Sequence, residues 1–227
     1  MSFPADLSFL AELDILVGLV FAAAIIVLVA DWRVALYALT GQYILTTLLL
    51  SQIISPSTAL LRVVAGALAV LILYVTLRRL TQERRAALTQ MDGEPPADWV
   101  EHLYRPEVFI VGFSFRSIAL ALVVVGILGI ASSMTFLELS AYLLFSGVWL
   151  IAAGILVAIL SRDVLRLGMG ILLLTSGFCI LESAIEASLF VFGLLIISDL
   201  LLAVVISHLA TVTQQEPGPA RRRGEAL

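Results

Sequence analysis

The sequence predicts an all-α polytopic membrane protein of about seven transmembrane helices, with its amino terminus outside and its carboxy terminus in the cytoplasm. Three observations lead there. Of 227 residues, 61% are apolar and 13% charged. Apolar runs of about twenty residues recur between short charged clusters. Arginines mark alternate connections between those runs. A water-soluble domain carries about twice that share of charge, and its apolar residues alternate with polar faces; here they do not, so lipid is the main solvent. That composition places the chain in a cell (inner) membrane as a multi-pass protein, and nothing in it points to nucleic acid.

A span needs about twenty apolar residues, at about 1.5 Å of rise each, to cross a hydrocarbon core about 30 Å thick. The stretches that meet this requirement are 10–30, 34–54, 58–77, 113–132, 137–160, 164–181 and 189–209. The third contains Arg62, and the fourth can begin as early as Val108 if the Arg116 side chain reaches back to the interface. The amino terminus carries Asp6, Glu12 and Asp14 with no basic residue, so it lacks the positive region of a secretory signal, and the first span is expected to stay in the mature chain.

Orientation follows from the basic residues, which favour the cytoplasmic side when they lie in short loops. One set of connections holds Arg33, then Arg78, Arg79, Arg84, Arg85 and Arg105, then Arg162 and Arg166, and last Arg221, Arg222 and Arg223. The other set, comprising the amino terminus, Ser55-Pro56-Ser57, the stretch around Met134 and the segment with Glu182 and Glu186, has none. An even number of helices would put arginine clusters on both faces. All 13 basic residues are arginine, a compositional bias without functional content.

The chain divides accordingly into an N-terminal three-helix unit (1–77), a cytoplasmic loop (78–112), a linking helix (113–136), a C-terminal three-helix unit (137–210) and a basic, disordered tail (211–227). Within the loop, Pro95 and Pro96 end any helix. Asp98 and Glu101 are then spaced like a capping pair ahead of Trp99, Val100, Leu103 and Tyr104, which fits either a short helix on the membrane surface or a solvated loop. A faint repeat links Ala30-Asp31-Trp32-Arg33, between helices 1 and 2, with Ser161-Arg162-Asp163, between helices 5 and 6. Two three-helix units of one orientation would then flank helix 4.

An ionisable group at the bilayer centre costs about 2.5–3.5 kcal/mol on insertion scales, so each is a functional candidate unless it is partnered. Asp199, midway along helix 7, meets that criterion fully. It either exchanges a proton, if water reaches it, or locks helix 7 against its neighbours. Arg62 lies inside the outer end of helix 3 and either snorkels outward or pairs with Asp199, since helical rise puts the two within about 5–10 Å in depth. Gln42, Thr175, Ser176 and Ser198 read as interhelical hydrogen-bonding groups. His208, less than three turns beyond Asp199, is either a proton exit or a solvated interfacial side chain. Gly66, Gly126, Gly147, Gly154, Gly168, Gly170 and Gly177 are expected to allow close helix approach. Cys179 is the one cysteine, set in an apolar run, where it can form no intramolecular disulfide and anchor no metal cluster. Without a phosphate-cradling glycine loop, a Cys-x-x-Cys or a metal-binding histidine pair, the sequence calls for no cofactor or metal, and a self-contained redox enzyme is not expected.

The stretch from Leu160 through Arg162, Arg166 and Gly168 to Gly170, followed by an apolar helix and then one with a central acid, resembles the K subunit of respiratory complex I. It is also similar to the C subunit of multi-subunit cation/proton antiporters. In that pattern a basic hinge precedes a glycine, matched by Arg162, Arg166 and Gly170, and the last helix holds a buried carboxylate, matched by Asp199. The closer resemblance is to component E of the hydrogenase 4 and formate-hydrogenlyase family, in which a basic residue of helix 3 has its counterpart in Arg62. It implies a non-catalytic membrane-arm subunit of a redox-driven proton or sodium pump, an oxidoreductase complex whose other membrane subunits, including antiporter-like ones, would be its partners. The chain departs from the pattern in helix 6: Leu172 stands where the K-type unit has a glutamate, and no acid lies near Thr175 as in component E. A purely structural subunit and a stand-alone ion transporter are the competing readings.

Overall fold

The computed structural model describes residues 5–29, 31–89, 113–133, 141–161, 163–185 and 188–215. Among these are seven helices and no strand: α1 (Ala5–Leu28), α2 (Trp32–Leu50), α3 (Pro56–Thr89), α4 (Phe113–Ser133), α5 (Ala141–Leu160), α6 (Val164–Ile185) and α7 (Leu189–Gln215). Five of them, α2, α3, α5, α6 and α7, are long and apolar enough to cross a membrane; in α1 and α4 the apolar stretches Leu13–Leu28 and Phe113–Gly129 are shorter. Large apolar side chains such as Phe21, Leu61, Ile118, Leu122, Val125 and Phe190 point outward. An apolar exterior of this kind suits lipid, as helices apolar all round require.

Local signals fix where the helices start and stop. Asp31 caps α2, its carboxylate accepting from the Arg33 amide at 2.9 Å. Asp163 does the same for α6, accepting from the Leu165 amide at 3.4 Å. Pro56 opens α3, where a missing N–H costs nothing. The sequence expectations need four corrections. Helix α2 stops at Leu50 and turns through 51–54 instead of continuing to residue 54. Helix α3 runs on to Thr89, so the first part of the expected 78–112 loop is helical. Helix α7 extends to Gln215, into the expected tail. Helix α6 reaches Ile185 and takes in Glu182. In each extension the residues beyond the apolar run include no proline or glycine to break the helix, so hydropathy ended before helicity did. The expected surface helix after Pro96 and the hinge residue Arg162 lie outside the described residues.

Arginines mark one end of the bundle. Arg166 Nη2 donates to Val29 O at 2.9 Å, Arg116 Nη1 donates to Val27 O at 3.2 Å, and Arg33 and Arg78 line one cavity. At the opposite end Tyr142 OH donates to Gln52 Oε1 at 3.3 Å. Arg116 is buried against α1, its guanidinium on the last turn of that helix. The chain's two halves pack helix by equivalent helix: α1 on α5, α2 on α6 and α3 on α7. Alternation along the chain gives the members of each pair the same direction. Helix α4 leans on α5 and α1.

The tightest contact joins α5 to α6. A Cβ at Gly154 would lie 2.5 Å from Gly170 O, and one at Gly170 would lie 2.8 Å from Gly154 O. Seven residues away on each helix, a Cβ at Gly177 would lie 2.5 Å from Gly147 O. The two backbones therefore touch at two levels, as small residues permit in lipid. Gly66 receives the Tyr43 ring and Gly168 receives Ile206. Gly126 is different: a Cβ there meets nothing within 4 Å, so the expected close approach is absent and the glycine faces outward. Gly126→Ala is accordingly expected to leave thermal stability unchanged or raise it by up to about 1 kcal/mol through helix propensity, read from the loss of monodisperse protein on heating in detergent.

Candidate functional site

The interior of an apolar bundle has no water to spare for a charge, so an ionised side chain there must find its compensation within the protein. Asp199 on α7 and Arg62 on α3 do so with each other. Their side chains are 1% and 0% exposed, and Arg62 Nη2 lies 3.3 Å from Asp199 Oδ2. The pairing of helices 3 and 7 argued from helical rise is thus present, and the alternative in which Arg62 snorkels outward is overturned. The reason is packing: α3 runs along α7 through much of its length, with Thr76 and Ser207 hydrogen-bonded nearer the arginine end, and the guanidinium finds its acceptor inside.

Hydroxyl groups from the second helix of each half complete the coordination of the carboxylate. Thr175 Oγ1 on α6 donates to Asp199 Oδ1 at 2.6 Å, and Tyr43 OH on α2 donates to Asp199 Oδ2 at 3.4 Å. Tyr43 and Thr175 each stand twelve residues after the aspartate that caps their helix, 31 to 43 and 163 to 175. The same register in both halves therefore delivers a donor to one carboxylate at their interface. Ser176, beside Thr175, accepts from Arg62 Nη2 at 3.0 Å while donating to Leu172 O at 2.8 Å. The Tyr43 ring also lies under the guanidinium, 5.6 Å from ring centre to Cζ, a cation–π contact that gains strength where water is excluded.

Arg62 is not fully satisfied. Its Nε and Nη1 are buried and have no hydrogen-bond acceptor among the described residues. A guanidinium offers five donors, so part of its capacity is unused among the described residues. Gln42, also buried on α2, donates to Thr46 Oγ1 at 3.0 Å and leaves its Oε1 unpartnered.

The remaining sequence candidates fall into place around this cluster. Thr175 and Ser176, expected as general interhelical glue, bind the ion pair directly. Ser198 is half-buried next to Asp199. Arg166 ties the start of α6 to the turn between α1 and α2, and Gly170 sits in the α5–α6 backbone contact. His208 is exposed. It follows Asp199 by nine residues, which at 3.6 residues per turn is two and a half turns, so the two side chains leave opposite faces of α7. The structure does not bring His208 to the site. Tyr43 is the functional side chain that sequence reasoning missed; the register it shares with Thr175 relative to the capping aspartates is the signal that could have found it.

Together these residues form a buried, overall neutral ion pair between two three-helix halves, wrapped by three hydroxyls and a tyrosine face. Each charge of the pair is the other's compensation, so a proton taken up by Asp199 would leave Arg62 in need of another acceptor. Among the described residues no group of three His, Cys, Asp or Glu side chains could hold a metal ion. No family model, curated protein or solved structure matches the chain.

Proposed function

We propose that this chain is a membrane-arm subunit of a redox-driven proton- or sodium-pumping complex of the membrane-bound hydrogenase and complex I-like type, in which Asp199 and Arg62 take part in moving the ion. The observation that carries this reading is the partly satisfied pair at the interface of two like halves, where transporters built from repeats place their ion sites. Its partners would be other membrane subunits, antiporter-like ones among them, which would supply the redox chemistry. The seven-span topology, with the amino terminus outside and the arginine end in the cytoplasm, belongs to the same proposal and rests on the positive-inside rule.

A specific observation favours a second reading, that of a structural subunit. Both carboxylate oxygens of Asp199 are occupied, and the one acid of α6, Glu182, stands seven residues beyond Thr175, about 10 Å further along the helix. The neutral pair Arg62→Gln with Asp199→Asn separates the two, because it keeps hydrogen-bonding groups and removes both charges. Under the first reading the complex assembles to its normal level in the membrane and loses most of its ion pumping. Pumping at the normal rate by a normally assembled complex would establish the structural reading. Gentle solubilisation of the chain from its native membrane should recover redox subunits with it, and their absence would end the assignment to such a complex.

A further inference from the structure

Beside the ion pair, the structure carries a second feature that the proposed function does not use. Helices α2 and α3, joined by the tight turn 51–55 at one end, diverge toward the arginine end and enclose a cavity of about 630 Å³. Its walls come from one face of α2, residues 32 to 40, and one face of α3, residues 67 to 82. The lower wall is apolar, with Leu36, Ala67, Val70 and Leu71, and it opens sideways between Tyr37 and Tyr74, whose side chains are 77% and 43% exposed. The upper rim is basic, formed by Arg33 and Arg78 with Gln82 beside them.

We propose that this cavity is a binding site for an anionic phospholipid, with the phosphodiester headgroup held between Arg33 and Arg78 and one acyl chain lying in the cleft below. Charge complementarity selects the occupant. Neither arginine has an ion-pair partner among the described residues: the carboxylate of Asp31 is turned to the α2 backbone, and neither Asp31 nor Glu83 lines the cavity. The threonines of the wall are already committed, Thr40 donating to Leu36 O and Thr81 to Leu77 O, so the arginine heads and Gln82 are the polar groups left for a ligand. Basic pockets between helices near the cytoplasmic surface recognise anionic headgroups in this way. Dimensions agree. From Arg78 to Ala67 α3 rises about 16 Å, matching a leaflet's hydrocarbon depth of about 15 Å. The aromatic rings at the mouth lie one helical turn, about 6 Å, below the arginines, beside the upper part of the acyl chain.

Trp32 lines the cavity and reports on its contents. The full chain is reconstituted into vesicles of neutral phosphatidylcholine containing a minor fraction of phosphatidylglycerol, with either lipid brominated near the headgroup end of its chains in separate samples. Quenching assigned to Trp32 by difference with Trp32→Phe should be stronger from brominated phosphatidylglycerol than its share of the bilayer predicts. Free glycerol phosphate should not displace the effect, because it has no chain to occupy the cleft. Arg33→Gln and Arg78→Gln should each lower the preference about five-fold. Ala67→Trp, read in a Trp32-quenching difference of its own, should lower quenching from both lipids by filling the cleft. Three results overturn the proposal: equal quenching by the two lipids, which marks a neutral chain as occupant; no quenching by either, which marks a protein segment; and a phosphatidylglycerol preference that survives both arginine substitutions. An unchanged emission maximum from buried Trp149 certifies that each variant is folded.

Discussion

Asp199→Ala is expected to be strongly damaging. It leaves the Arg62 guanidinium buried with no counter-charge, and breaking a buried pair on one side costs about 3–5 kcal/mol. Arg62→Ala removes the other partner and should cost less, because a carboxyl can shed its charge by taking up a proton whereas a guanidinium cannot. The double variant should recover much of the loss, since replacing a buried pair by apolar groups is often neutral or better. The expected order of stability is therefore wild type, or the double variant close to it, then Arg62→Ala, then Asp199→Ala. It is measured as the temperature at which half of the detergent-solubilised chain leaves the monodisperse fraction. A double variant no more stable than the worse single variant would contradict the pairing.

The second large effect is expected at Gly154. A methyl group there would sit 2.5 Å from Gly170 O, 2.7 Å from Leu174 N and 3.1 Å from Leu174 Cα. All three neighbours are backbone, so no rotamer change relieves the overlap and the helices must part. Gly154→Ala is expected to cost about 1–3 kcal/mol, and Gly154→Leu to leave little folded protein in the membrane. Gly147 offers a graded comparison: its nearest neighbours are Leu181 side-chain atoms at 2.6 Å, which can move, and its backbone neighbour Gly177 O lies farther off at 3.1 Å, so Gly147→Ala should cost less. Equal losses at the two positions, measured by the same thermal assay, would show that the backbone contact does not set the helix spacing.

Much of this architecture was legible in the sequence because lipid imposes a length on every span and arginines record the side on which it ends. Helix identities and the shared arginine end followed from those two constraints. The ion pair was legible in part: depth along a helix can be counted, so Arg62 and Asp199 could be matched in height, whereas rotation about each helix axis is set by packing with its neighbours. That is why outward snorkelling of Arg62 stood as an alternative until the structure placed the side chain inside. Tyr43 was missed for the same reason, since a tyrosine in an apolar run carries no mark of which way it faces. His208 is a different case: its exposed side chain fits the solvated reading, and nine residues along one helix reverse the face, a count that needs no structure. Glycine spacing likewise cannot tell a backbone contact from a lipid-facing gap: Gly154 and Gly126 read alike in sequence and differ entirely in surroundings.

The double backbone contact of α5 with α6 has a mechanical consequence. Where two helices meet without a layer of side chains between them, there is nothing to repack and little room to slide, so they behave as a single stiff plank. Thr175 and Ser176 ride on that plank, which makes them the stationary half of the charge cluster. Whatever displacement accompanies a change at Asp199 must then be carried by α3 and α7 moving against it, and would show on the outward surfaces of those two helices.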